Sequence, residues 1–219
     1  MHATLALRLA AAALASALAL AAHAASITVA VTGADGQPAP DVVVQLLTAR
    51  PLAWAPRAPV VIAQRDIHFQ PAVTAVPVGP TVRFTNEDPF DHHLRSQPAG
   101  PLGAIAPAKE FALRLPAVNA DKASSSDVLF DKPGLVVLGC HFHSSMRGHL
   151  FVSETPLVAV TDATGHATIA DVPEGQVELR TWHPEQLVDQ PATPHQVAGN
   201  ASLASVLNFT PPKPRARRG

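Results

Sequence analysis

Two short stretches hold most of the side chains able to do chemistry. Gly139-Cys-His-Phe-His-Ser-Ser-Met-Arg-Gly148 places a thiol, two imidazoles and a thioether close together. Asn86-Glu-Asp-Pro-Phe-Asp-His-His-Leu94 adds two adjacent imidazoles, His92 and His93. A soft thiolate, neutral imidazoles and a weak thioether are the donors preferred by a copper ion that cycles between Cu(I) and Cu(II). Cys140 and His143, three apart on a turn, can face one ion, and Met146, three further on, can cap it. A fourth ligand must come from elsewhere in the fold, and His92 or His93 is the well-placed source. Cysteine and histidine also suit zinc, but a thioether does not. Alone, Cys140 would read as inert core and Met146 as a gap-filler. With a histidine midway between them, the set reads as ligands. His141, His149 and His68 read as surface or neighbouring groups, and His166, His183 and His195 carry no spacing signal. Cys140 is the single cysteine, which excludes an internal disulfide, a Cys-x-x-Cys redox pair and an all-cysteine cluster.

These ligands need a rigid frame, and the surrounding chain reads as strands. Ile27–Thr32, Asp41–Leu47, Thr81–Thr85, Phe111–Leu115, Val128–Phe130, Leu135–Leu138 and His149–Val152 alternate or run apolar. A second series covers Val158–Thr161, Ala167–Ala170, Val177–Trp182 and Ser202–Phe209. Ala49–Pro59, with its prolines, reads as a connector, and Val118–Asp127 as a polar loop. The Asn86–Leu94 stretch reads as a loop after a strand. Proline is frequent, at 22 residues, and no long window sustains a helical apolar repeat. The expected class is all-β, built as one or two β-sandwiches.

The Cys140-x₂-His143-x₂-Met146 loop resembles that of the cupredoxins, the plastocyanin–azurin–amicyanin class, and amicyanin in its shortness. Val82-Arg-Phe-Thr-Asn86 followed by His92 resembles that family's strand, asparagine and first histidine ligand. The resemblance spans roughly residues 59–153 and implies a Greek-key sandwich holding one type 1 copper. It selects His92, Cys140, His143 and Met146 as ligands, with Asn86 and His93 beside them. His93 stands where most cupredoxins carry an asparagine that ties the ligand loops together. The His-His-aliphatic run, Phe130–Gly134 and Leu-Gly-Cys also resemble secreted methylamine-utilisation or plastocyanin-like proteins.

Thr161-Asp-Ala-Thr-Gly165, Val172-Pro-Glu-Gly175 and the opening turn Gly33-Ala-Asp-Gly-Gln-Pro38 resemble the carboxypeptidase-regulatory-like, transthyretin-type sandwich. The expected domains are therefore 25–50 with 154–210 as this second sandwich, and 51–153 as the copper unit inserted within it. The alternative makes 26–48 the first strands of the copper unit.

Composition bounds the partners. Lys plus Arg is 16 and Asp plus Glu is 17, a net charge of −1, which argues against nucleic acid. Arg8, the Ala/Leu run Leu9–Ala22 and Ala22-His23-Ala24 read as a signal peptide over 1–24, with export to the periplasm and no later membrane span. Cleavage would leave Met146 as the single methionine. Residues 211–219 read as a basic, proline-broken tail. No Ser-His-Asp set, paired carboxylates or further histidine cluster suggests an enzyme. The expected role is a single-electron carrier between redox partner proteins, with copper delivery, buffering or resistance as the alternative.

Overall fold

The computed structural model describes residues 24–53, 58–119 and 122–212. The leader read over 1–24 and the tail over 211–219 lie almost wholly outside these residues. Sixteen strands and a single 3₁₀ turn make up the regular structure of the described residues. β1 (Ala25–Thr32) and β2 (Val43–Thr48) come first. β3 (Val60–Arg65), β4 (His68–Gln70), β5 (Val73–Pro77), β6 (Thr81–Asn86), β7 (His92–Gln97) and β8 (Ala112–Leu115) follow. Then come β9 (Ser124–Leu129), β10 (Gly134–Cys140) and β11 (Arg147–Ser153). β12 (Val158–Val160), β13 (His166–Val172), β14 (Gly175–Trp182), β15 (Thr193–Val197) and β16 (Ala201–Val206) complete the chain.

The strands form four sheets around two separate apolar cores. One core lies among residues 62–152, between the sheet β5-β11-β10-β7-β8 and the sheet β4-β3-β6-β9. Its inward residues obey the two-residue period of strands: Val136, Leu138 and Cys140 on β10, and Leu150 and Val152 on β11. The second core takes residues from 25–46 and 157–207, between β13-β1-β16 and β12-β2-β14-β15. Every second residue of β1 is buried there. Among the described residues, β1 and β2 pair only with strands of this second set. The two sandwiches meet where the Ser153 hydroxyl donates to Gln45 Oε1 at 2.8 Å, with both side chains buried. Trp182 lies beside this junction, its ring 5.5 Å from Phe151 and 6.0 Å from His149.

Several local expectations change. Ser124–Asp127 is strand, not loop, because its backbone completes a ladder with β6 and Asp127 accepts two bonds from Arg83 across it. The Asn86–Leu94 stretch ends in a strand, since β7 starts at His92 and pairs with both β8 and β10. β3, β5 and β15 lie in stretches without clean alternation. β3 and β5 run parallel to β6 and β11, and their polarity does not follow their burial: Gln64 and Thr74 are buried, whereas Val61 is exposed.

Candidate metal centre

The site lies at the end of the first core where β7 begins and β10 ends. Ladder pairing of Cys140 with Leu94 puts His92 and Cys140 on the inward face of neighbouring strands. The turn after β10 then brings His143 back toward Cys140. His92 Nδ1 and His143 Nδ1 each lie 3.5 Å from Cys140 Sγ, and the three donor atoms lie within 4.8 Å of one another. The two imidazole rings are 4.9 Å apart between centroids, inclined at 59°. Met146 is buried in the same core, and its N–H donates to the His143 carbonyl at 3.0 Å, closing the turn that carries both residues. Gly148 follows on β11; a Cβ there would sit 2.9 Å from Phe69 Cβ, so glycine lets Phe69 close under the strand that leaves Met146.

The proton arrangement of His92 is fixed from behind. Its Nε2 lies 2.8 Å from Asp88 Oδ2, with both side chains buried. A carboxylate only accepts, so Nε2 carries the proton and Nδ1 keeps its lone pair toward Cys140. Burial pushes the Asp88 carboxyl upward, but bonds from His92 and from the backbone N–H groups of Ile67 and Asp66 outweigh it and hold it below the usual range. Asn86 pins the loop that carries Asp88. Its Nδ2 donates to the Phe90 and Pro116 carbonyls at 2.8 and 2.9 Å, and its Oδ1 accepts from Asp88 N–H at 2.9 Å. Phe90 walls the opening, its ring 5.4 Å from His92 and 5.3 Å from His143.

Of the residues singled out from sequence, His92, Cys140 and His143 converge, and Met146 is adjacent. Asn86 is in place as the knot behind His92. The His93 ring points out of the site, and its carbonyl accepts from His141 N–H at 2.9 Å, tying the two ligand strands through the backbone. Asp88 and Phe90 were not anticipated. An acidic residue four before an expected histidine ligand was the available signal for Asp88.

No protein-family model and no curated protein matches the chain. Solved structures do. A copper-containing nitrite reductase from Thermus scotoductus SA-01 is 28% identical over 48% of this chain, at a TM-score of 0.37; the chain covers 26% of that protein's length. An amicyanin variant in its Cu(I) state is 26% identical, with 43% of this chain and 81% of that chain covered, at a TM-score of 0.32. A purple cupredoxin from Nitrosopumilus maritimus is 23% identical, with 44% of this chain and 100% of that chain covered, at a TM-score of 0.34. The site is cupredoxin-like in its donors. The warrant is the donor set itself, two imidazole nitrogens and one thiolate enclosed beside a thioether, which fits a single type 1 copper.

In this cupredoxin-like site, bound copper would supply one-electron redox chemistry. The chain's own residues do the rest. Asp88 and Asn86 hold His92 in one orientation, Cys140 is buried among Leu94, Leu138 and Leu150, and Phe90 limits water. A donor set fixed by strands and a hydrogen-bonded turn changes little between two charge states.

Proposed function

We propose that this blue copper protein is a single-electron carrier of the periplasm, exchanging electrons with partner proteins. The observation that carries the reading is the enclosed trio His92, Cys140 and His143, in which only His143 keeps a partly accessible ring. A carrier needs one tightly held ion and an edge through which electrons pass. His143, with the exposed ring of Phe90 beside it, offers that edge. The export signal read in residues 1–24 supports the periplasmic assignment. The second sandwich, proposed as a carboxypeptidase-regulatory-like unit of residues 25–50 and 154–210, would serve structure or partner docking.

Titration of the reduced protein with a Cu(I) chelator of known affinity, alongside protein-film voltammetry, tests this role. A carrier keeps its copper and gives a reversible wave. Ready loss of copper without a reversible wave would favour copper delivery instead.

A further inference from the structure

The strand ends that build the copper site also build a second histidine pair on their other face. Side chains alternate along β7 and β10, so His92 and Cys140 point inward while their chain neighbours His93 and His141 point outward. The ladder pairing Cys140–Leu94 continues through His141 N–H to the His93 carbonyl at 2.9 Å, which sets His93 and His141 directly across from one another. Cross-strand partners on one face lie within side-chain reach. Their ring centroids are 5.7 Å apart and inclined at 70°. Metal–nitrogen bonds of about 2.0–2.1 Å put each ring centre roughly 3.2 Å from an ion, so two imidazoles sharing an ion have centroids roughly 4.5–6.4 Å apart. The outer pair falls in that range, as does the inner pair at 4.9 Å.

We propose that His93 and His141 form a second metal site, which takes one exchangeable divalent transition ion through two imidazole nitrogens. Imidazole suits Ni(II), Cu(II) and Zn(II). His141 is exposed and His93 half-buried, so water completes the coordination and the ion enters and leaves freely. Phe142 stands beside both rings, at 6.0 Å from His141 and 5.9 Å from His93, and excludes solvent from one side. Arg114, opposite His93 on β8, is held by Asp91 at 2.8 Å, which offsets its charge. Arg95, two residues along the same face, has no acidic partner among the described residues and keeps the affinity modest. The site is separate from the copper donor set and does not depend on the carrier role.

The test is calorimetric titration of Ni(II) into the tag-free, Cu(II)-loaded protein, with the visible spectrum followed throughout. Nickel binds such donors less tightly than copper and leaves the inner site filled. One equivalent of Ni(II) should bind with the copper band unchanged. His93→Asn and His141→Ala should each weaken that uptake at least tenfold while retaining the copper band, which also reports that each variant is folded. Absence of the extra equivalent, or uptake unchanged in both variants, would overturn the proposal.

Discussion

Cys140 is the one side chain whose loss no neighbour can make good. Only its thiolate gives strong charge transfer to Cu(II), so Cys140→Ser should abolish the intense visible band while leaving the β-fold, checked by absorption and circular dichroism. His92→Gly should open a position that external imidazole refills, restoring the band; His93→Asn should keep the copper without rescue. Asp88 acts through His92. Its buried carboxylate favours the more positively charged Cu(II) form, so Asp88→Asn should raise the reduction potential. The expected rise is about 60 mV, equivalent to ~1.4 kcal/mol for one electron, and voltammetry reads it directly. The candidate ligands were legible in sequence because Cys140, His143 and Met146 share one short turn. Choosing His92 over His93 needed the family pattern, and the strand alternation now explains it. Asp88 was faintly legible: its place four residues before His92 was the one signal, and a loop sequence does not otherwise say which carboxylate turns inward.

At the scale of elements, the site depends on how closely β11 approaches the strand beneath it. Gly148→Ala would drive a methyl group into Phe69, whose Cβ and Cδ2 would lie 2.9 and 3.0 Å away. Overpacking of this kind costs about 1–3 kcal/mol, and a matching fall in denaturant midpoint with unchanged slope checks it. Because Gly148 follows Met146 so closely, the same variant should also broaden the copper spectrum. Strands with regular alternation, such as β1, β6 and β14, were readable from their residues. The first half of β9 was not: its Ser-Ser-Ser-Asp opening has no apolar face, and the ladder with β6 and the Arg83–Asp127 pair make it a strand. β3 and β5 were obscured for a different reason: polar Gln64 and Thr74 turn into the core while Val61 faces solvent.

Across the whole molecule, two cores are joined at a seam where β11 meets β2 and β14. His149 and His183 lie near that seam, and burial pushes both down to about 4, with the charges of Arg147 and His183 adding to the effect at His149. An unfolded histidine titrates near 6.5, so between about pH 6.5 and 4 the unfolded chain binds more protons than the folded one. Stability contributed by these neutral imidazoles is therefore present above pH 6.5 and lost as pH falls toward 4, by on the order of 1–3 kcal/mol for the well-buried His183. Urea melts at pH 7.5 and 5.0 should show this loss, and His183→Gln should flatten it. The seam itself was not readable from sequence. Gln45 and Ser153 are 108 residues apart and carry no motif, and their bond exists only once both sandwiches are formed.

The central claim is that Cys140, His92 and His143 hold one copper ion beside Met146. Joint visible and paramagnetic-resonance spectra of protein loaded with one equivalent of Cu(II) test it most directly. An intense thiolate-to-copper band with a narrow copper hyperfine splitting is the predicted result. A pale protein with the wide splitting of ordinary nitrogen- and oxygen-bound copper would contradict it.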